Sequence, residues 1–357
     1  MRIAVVHPFT WQDVRRGGER YAHDLTWWLA SQGHEVDYVT GGPEHSVTEQ
    51  DGGRLVRLHH RHGERLTGWG VGKTETFGAT VLPWLARNRY DVVHAFVPAA
   101  AIAARLARQR TVFTAIGHPG VGLRRRDRVL LKRATHAAHV TTALSFSAAE
   151  AVEAVTMHAV RIVNPGVRLD VFTPNIAARS GPPRVFFPAH AGEPRKRLND
   201  LLNAWPRVLQ ALPDARLVIG GGGDVGRFLP EHAVGTLDVI GVGELDDLPQ
   251  RYRDATVTVL PSEDEAFGLV LVESLACGTP VVAARSGGMP EIVNSPDVGA
   301  LAALGDVTEL ADAIIAIVGL AADPETPPRC TTYAQQWGWD KVGADHLAGY
   351  EAALSAN

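Results

Sequence analysis

Over the first 165 residues, continuous apolar segments alternate along the chain with amphipathic segments. Continuous apolar runs predict strands buried in a parallel sheet. The segments between them are amphipathic, and ERYAHDLTWWLASQGH places Tyr21, Leu25, Trp28 and Leu29 on one helical stripe. Strand, glycine loop, helix and strand form a βαβ unit, so this half is predicted to be a doubly wound domain. The apolar runs are RIAVVHP (2–8), EVDYVTGG (35–42), DVVHAF (91–96), RTVFTAIG (110–117) and HVTTAL (139–144).

The same pattern begins again after residue 183. RVFFPA (184–189), ARLVIGGGGD (215–224), ATVTVLPS (255–262) and PVVAA (280–284) predict strands, with helices between them. The intervening segment 161–183 has four prolines and no helical period, which is typical of a linker. We therefore expect an α/β protein with two doubly wound Rossmann-like domains facing a central cleft. Ligands of such sheets bind at the carboxyl ends of the strands.

Composition narrows the functional class. The chain has 357 residues, enough for two domains, and its net charge of −4 provides no global attraction to nucleic acid. Its two cysteines, Cys277 and Cys330, are too few for a disulfide framework or a zinc site, which favours a cytoplasmic protein. No apolar run approaches the roughly 20 residues that a membrane-spanning helix needs.

The stretch PSEDEAFGLVLVESLACGTPVV (261–282) contains two carboxylates, Glu265 and Glu273, around an apolar run. Glu265 follows a predicted strand, where an open α/β sheet binds its ligand. Glu273 lies in an apolar predicted helix and needs a polar partner, for which the vicinal hydroxyls of a sugar are suitable. Spacing alone leaves a second interpretation equally open: Glu265 as a carboxylate at a helix start and Glu273 as a solvated residue.

Several motifs in order resemble the retaining glycosyltransferases of family 4, which have the GT-B fold. The resemblance covers nearly the whole chain, from GGERYAHDLTWWLASQGHEVDYVT through IVNPGVRLDVFTP, GEPRKRLNDLLNAW and ARLVIGGGGD to the E-x7-E stretch and QQWGWDKVGADHLAGYEAAL. It implies an acceptor-binding domain of residues 1–165, completed by a helix near 340–357. It also implies a donor-binding domain of residues 166–339.

The resemblance assigns roles to residues of the second domain. Glu265 would contact the hydroxyls of the transferred sugar, Glu273 the ribose hydroxyls, and Lys196 the phosphates of the donor. The backbone of Phe267, Gly268 and Leu269 would lie near sugar and phosphate, and that of Ile240 and Val242 near the base. Lys196 between two arginines is also consistent with a solvated basic turn. Ala189–His190 stands where the family usually has Gly-Arg, so His190 is expected to face the diphosphate in place of the arginine.

Two candidates lie in the first domain. Gly17 and Gly18 precede a predicted helix, whose free N–H groups suit a diphosphate. His118 follows a strand, and the resemblance places it on the acceptor side, as a catalytic residue with Lys196 and Glu265.

The basic segment 122–139 suggests either a weak peripheral membrane contact through residues 124–133 or a solvated face. Its cations include Arg124, Arg125, Arg128 and Lys132. HHRH (59–62) is interpreted as a surface loop.

With this resemblance, the residues above predict a metal-independent, retaining glycosyltransferase with a nucleoside-diphosphate sugar as co-substrate and no resident cofactor. The acceptor is a small molecule, a glycan or a lipid-linked group, and nucleic acid is not expected as a partner. Two alternatives remain: a nucleotide-sugar epimerase on the same fold, and a nucleotide-sugar-binding protein without turnover. A dehydrogenase is disfavoured because GGGG at 220–223 does not form a clean dinucleotide fingerprint.

Overall fold

The computed structural model describes residues 1–50, 52–60, 73–120, 123–174, 181–220, 235–240 and 247–356. The chain divides into two compact units. Unit 1 comprises Met1–Gly166 and Trp339–Asn357, and unit 2 comprises Val167–Gly338. Both junctions lie one residue from the boundaries expected from the sequence. None of the helices in the described ranges combines the length and apolar character that crossing a membrane requires.

Unit 1 contains an eight-stranded sheet in the order β3-β4-β2-β1-β5-β6-β7-β8. In the described residues its neighbouring strands are parallel, except that β3 is antiparallel to β4. Residues Ile3–Val6 of β1 are fully buried, as their continuous apolar run predicts. The strands are β1 (Arg2–Val6), β2 (Glu35–Gly42), β3 (Ser46–Gln50), β4 (Gly53–His59), β5 (Val92–Ala95), β6 (Thr111–Ala115), β7 (Val140–Ala143) and β8 (Arg161–Ile162).

Helices connect the strands of unit 1, as a doubly wound fold requires. They are α1 (Gly17–Ser31), α2 (Lys73–Arg87), α3 (Pro98–Leu106), α4 (Arg125–Ala137) and α5 (Phe146–Thr156). The predicted stripe of α1 is confirmed, because Tyr21, Leu25, Trp28 and Leu29 are all buried. The last helix of the chain, α12 (Trp339–Ser355), belongs to this unit. Its Trp339 stacks on Trp28 with ring centroids 5.5 Å apart.

Unit 2 contains a six-stranded sheet in the order β11-β10-β9-β12-β13-β14, and all its described pairings are parallel. Its core includes the fully buried rings of Phe187, Trp205 and Tyr252. The strands are β9 (Arg184–Phe187), β10 (Arg216–Ile219), β11 (Leu237–Val239), β12 (Val257–Leu260), β13 (Val281–Ala284) and β14 (Gly299–Ala302). The helices are α6 (Leu198–Ala211), α7 (Leu248–Asp254), α8 (Leu269–Ala276), α9 (Met289–Ile292), α10 (Val307–Leu320) and α11 (Thr326–Ala334).

The structure corrects two local interpretations. The linker segment 161–183 begins with β8, which pairs with β7 and extends the sheet of unit 1. HHRH was expected in a surface loop, but His60 is buried and its Nδ1 lies 2.8 Å from Thr80 Oγ1 on α2. His59 ends β4, and residues 61 and 62 lie outside the described residues. His60 follows β4 and is covered by α2. The polar sequence HHRH alone does not reveal this packing.

Candidate functional site

An ion pair joins two of the predicted donor-binding residues in unit 2. Lys196 Nζ lies 2.6 Å from Glu265 Oε2, and both side chains are largely buried, with 16% and 19% of their surfaces exposed. Lys196 follows β9 and Glu265 follows β12, and these two strands are parallel neighbours. The pair therefore lies at the carboxyl edge of the sheet, where ligands of such folds bind.

Three loops at this edge are connected by hydrogen bonds through main-chain atoms. Glu263 N donates to Arg195 O across 2.8 Å, and Arg195 Nη1 donates to Asp264 O across 3.0 Å. Asp264 N in turn donates to Ser286 Oγ across 3.0 Å. The three loops, which follow β9, β12 and β13, are thereby fixed around the ion pair of Lys196.

Gly287 allows the loop after β13 to approach Glu265, and the sequence did not single it out. Its φ is +57°, and a Cβ at this position would lie 2.2 Å from Glu265 O. The next residue, Gly288, donates its N–H to the same carbonyl across 2.8 Å. The sequence signal that could have identified it is the SGG triplet at residues 286–288, one residue after the predicted strand PVVAA (280–284). A side chain at Gly287 would displace the backbone that positions Glu265.

Glu273 lies on α8 and is 1% exposed, which excludes the interpretation of this residue as solvated. Its Oε2 accepts a hydrogen bond of 2.9 Å from the hydroxyl of Tyr252, a fully buried residue of α7. Glu265 precedes α8 by four residues and pairs with Lys196, so it is not a carboxylate of the first helical turn either. Sequence reasoning missed Tyr252, because its partner depends on how α7 packs against α8.

The N-terminus of α8 lies between the two glutamates. Gly268 has a φ of +106°, which glycine adopts readily, and α8 begins at Leu269. The first turn of a helix has main-chain N–H groups without intrahelical partners, and they favour anions. Phe267 is buried beside Trp337, with ring centroids 6.4 Å apart. This part of the chain thus provides a backbone site of positive potential next to Glu265.

The other predicted donor contacts have different surroundings. His190 is exposed after β9, and its Nδ1 accepts a hydrogen bond of 3.1 Å from Gly192 N. Ile240 is buried at the end of β11, and its N–H donates to Ile219 O across 2.9 Å. Val242 and residues 221–223 of the glycine run lie outside the described residues. The roles of His190 and Ile240 toward a ligand stay predictions.

The predicted residues of unit 1 also lie at the carboxyl edge of their sheet. Gly17 and Gly18 begin α1, and a Cβ on Gly18 would lie 2.8 Å from Ile116 Cδ1, just after β6. His118 follows β6, and its Nε2 lies 3.2 Å from Ser147 Oγ at the start of α5. The close approach of α1 to the end of β6 therefore favours a glycine at position 18, since an added Cβ would have to displace the terminal methyl of Ile116.

His7 was not predicted as a site residue, although it lies near the end of the first apolar run. It lies directly after β1, is 2% exposed, and places Nε2 3.9 Å from a Cβ built on Gly18. Burial lowers the pKa of its imidazole to about 4. Near neutral pH, His7 is therefore a neutral polar group beside the glycine loop.

Two family models match the chain, one in each half. "Glycosyltransferase Family 4" matches residues 15–171, and "Glycosyl transferases group 1" matches residues 182–319. Both halves of the chain therefore match glycosyltransferase family models, family 4 over the first half and group 1 over the second. The two matches meet near the junction between unit 1 and unit 2.

Curated relatives of this chain include two named "D-inositol 3-phosphate glycosyltransferase". The protein from Mycobacterium sp. (strain KMS) is 35% identical over 229 residues, covering 58% of this chain and 51% of the relative. The protein from Streptomyces bingchenggensis (strain BCW-1) is 34% identical over 221 residues, covering 55% and 48%. This chain thus spans about half the length of these relatives.

Solved structures show the same two-domain fold. Sucrose-phosphate synthase from Thermosynechococcus elongatus superposes with a TM-score of 0.82, 21% identity and full coverage of both chains. Anabaena HepE in complex with UDP and glucose gives a TM-score of 0.72 and 18% identity, covering 99% of this chain and all of HepE. The predicted fold class, two Rossmann-like domains of the GT-B type, is confirmed.

Proposed function

We propose that this chain transfers a sugar from a nucleoside-diphosphate sugar to an acceptor hydroxyl, with retention of configuration and without a metal ion. The observation that supports this most is the Lys196–Glu265 pair at the carboxyl edge of the unit 2 sheet. Glu265 itself lies eight residues before Glu273, whose carboxylate is buried. A cation for phosphate and two carboxylates for hydroxyl groups match the chemistry of a nucleotide-sugar.

The donor would bind along α8. Glu273 accepts hydrogen bonds from the ribose hydroxyls, and Tyr252 holds its carboxylate in place from the interior. The N–H groups at the start of α8 and the ammonium of Lys196 both favour the negative charge of the diphosphate. Glu265 accepts hydrogen bonds from the hydroxyls of the transferred sugar. Its backbone position is set by Gly287 and Gly288.

The transfer step would take place on one face of the sugar. The bond between the anomeric carbon and the leaving phosphate oxygen breaks, and a bond to the acceptor oxygen forms on the same face. The proton of the acceptor hydroxyl passes to the departing phosphate oxygen. Lys196 lowers the barrier by stabilising the charge that develops on the diphosphate. No enzyme carboxylate has to act as the nucleophile in this course.

Unit 1 would contribute the acceptor side. His118, at hydrogen-bond distance from Ser147, orients the sugar or the acceptor, and Gly17 and Gly18 offer main-chain N–H groups at the start of α1. The neutral imidazole of His7 adds a hydrogen-bonding group beside them without adding charge. These assignments rest on the carboxyl-edge position that all four residues share.

The first substrates to test follow from the similar proteins. HepE was solved with UDP and glucose, and the trehalose-6-phosphate protein of E. coli, at a TM-score of 0.73 and 12% identity, with UDP-2-fluoro glucose. We therefore propose a UDP-sugar as the donor. The names of the relatives make D-inositol 3-phosphate the first acceptor to try, ahead of glycans and lipid-linked acceptors.

Mass spectrometry of reaction products separates this proposal from its alternatives. A glycosyltransferase yields a glycosylated acceptor and a nucleoside diphosphate, whereas an epimerase changes the sugar without an acceptor. A binding protein leaves every substrate intact. Glu265→Gln should abolish most product formation, and Glu351→Gln, an exposed change on α12, should not. Intact substrates across a panel of nucleotide-sugars and acceptors would contradict the proposal.

A further inference from the structure

A groove of about 560 Å³ opens between the last turns of three consecutive helices of unit 1, α3, α4 and α5. A helix in a doubly wound fold runs back along the strand that precedes it, so these last turns lie at the amino edge of the sheet. His7 and His118 follow the carboxyl ends of β1 and β6, at the opposite edge. The groove is therefore separate from the candidate site in unit 1.

Cationic and imidazole side chains line this groove. They are Arg105 from α3, Lys132, Arg133 and His136 from α4, and His158 just after α5. The described lining residues include no carboxylate. Arg105 Nη1 lies 3.0 Å from His139 Nε2, whereas Lys132 and Arg133 are exposed and form no ion pair with any described residue. The groove therefore concentrates positive charge on a chain whose net charge is −4.

Two exposed apolar residues lie at this groove: Leu106 lines it, and Met157 lies in the chain between two of its lining residues. Met157, between Thr156 and His158, is 85% exposed, and Leu106 is 67% exposed. These are the highest exposures among the large apolar residues of the described chain. Val129, one turn before Arg133 on α4, is also exposed. Exposed apolar side chains beside a cluster of cations are typical of surfaces that bind anionic membranes.

We propose that this face docks on a membrane surface rich in anionic phospholipids. Phosphate headgroups complement Lys132 and Arg133, while Leu106 and Met157 enter the boundary between headgroups and acyl chains. A free phosphate compound would satisfy the cations only, whereas one bilayer satisfies both classes of side chain. This orientation places the amino edge of the unit 1 sheet at the lipid and leaves its carboxyl edge free.

Sedimentation with vesicles tests the proposal on the full chain. We expect binding to vesicles of phosphatidylcholine mixed with phosphatidylglycerol, little binding to phosphatidylcholine alone, and weaker binding as salt rises. Lys132→Glu with Arg133→Glu should weaken binding at least about tenfold. Leu106→Ser with Met157→Ser should weaken it several-fold while the salt dependence remains. All four side chains are exposed, so thermal melting should be unchanged.

The matched control reverses two charges elsewhere. Arg184→Glu with Lys341→Glu changes two exposed cations outside the groove and should bind vesicles like the wild type. Equal weakening by this control would mean that net charge, and not this face, drives binding. Absence of binding to the anionic vesicles, or wild-type binding by the Lys132/Arg133 variant, would also overturn the proposal. So would full displacement by soluble glycerol phosphate, which would indicate a site for a free phosphate compound.

Discussion

Tyr252 donates its hydroxyl hydrogen to Glu273 Oε2 across 2.9 Å, and both side chains are almost completely buried. The phenol ring is fixed between other aromatic rings of unit 2, with centroids 5.6 Å from Phe186 and 6.0 Å from Phe172. The carboxylate that we assign to the ribose is therefore oriented by a rigid neighbour from the interior of the domain.

Removing this hydroxyl should weaken nucleotide binding without unfolding the protein. We expect Tyr252→Phe to lower the affinity for UDP by about 1 kcal/mol, and Glu273→Ala by roughly 1–3 kcal/mol, because each strands a hydrogen-bonding partner. Calorimetric titration measures both. The losses should shrink with 2′-deoxy-UDP, which offers Glu273 fewer hydroxyls.

A matched control removes a buried phenol hydroxyl in the other unit. Tyr90 donates to Asp37 within unit 1, so Tyr90→Phe should leave UDP affinity unchanged. If a folded Glu273→Ala variant bound UDP like the wild type, the ribose assignment would be wrong. If only Tyr252→Phe bound normally, Tyr252 would not position the carboxylate.

Gly287→Ala should damage the candidate site through the backbone. The added Cβ would lie 2.2 Å from Glu265 O, and the φ of +57° is unfavourable for alanine. We expect a loss of about 1–3 kcal/mol in unfolding free energy and at least a tenfold drop in sugar transfer. Gly319→Ala is the control, because a Cβ on this α10 residue meets nothing within 4 Å. Equal unfolding free energies and equal transfer rates of the two variants would show that Gly287 does not position Glu265.

The sequence located the strands that bring the site together but not the contacts within it. Lys196 and Glu265 are 69 residues apart in the chain, and each could be assigned to the end of a strand. Their pairing depends on β9 and β12 being neighbours, which is a property of the sheet order. Tyr252 and Gly287 were missed for the same reason, since their partners come from other elements.

Some elements of unit 1 were also missed. Strands β3 and β4 lie in a polar stretch around SVTEQ and GRLVRLH, where β3 is an exposed edge strand with little apolar pattern. Helix α2 contains Pro83, a residue that disfavours a helical assignment from sequence. The tertiary packing of Phe77, Val81 and Leu85 outweighs this local preference, because all three are fully buried.

Acid should destabilise unit 1 before most carboxylates titrate. Burial lowers the pKa of His7 and of His346 to about 4, and it lowers that of His94 well below the usual value. His346 Nδ1 donates to Val342 O and its Nε2 accepts from the hydroxyl of Tyr21, so the neutral ring is fully bonded. Protonation would remove the acceptor lone pair of Nε2 and place a positive charge in a fully buried position.

The direction of this pH effect follows from the protons that the folded and unfolded chains bind. Between about pH 6.5 and 4 the unfolded chain binds protons on these histidines and the folded chain does not, so stability falls as pH falls. His7 and His346 should each account for on the order of 3 kcal/mol over this window. Burial raises the pKa of Glu19, which opposes the effect. Urea unfolding at several pH values checks it, and a constant free energy from pH about 7 to 4.5 would contradict it.

Chelation should leave sugar transfer intact. We assign the stabilisation of the leaving diphosphate to the Lys196 ammonium and to the N–H groups at the start of α8, neither of which needs a divalent ion. Initial rates with EDTA and with added Mg²⁺ or Mn²⁺ should agree. A rate that EDTA abolishes and either metal restores would replace the proposed mechanism with a metal-assisted one.

Proton NMR of the product tests whether transfer retains the configuration of the donor and depends on the Lys196–Glu265 pair. The wild type, supplied with UDP-glucose and D-inositol 3-phosphate or another acceptor from the panel, should form a glycoside with the α-configuration of the donor. Lys196→Ala should form it at least about a hundredfold more slowly, a barrier increase of roughly 3 kcal/mol, while Lys341→Ala should match the wild type. A β-configured product would show that transfer inverts the configuration, and a Lys196→Ala variant as active as the wild type would show that the ion pair is not needed.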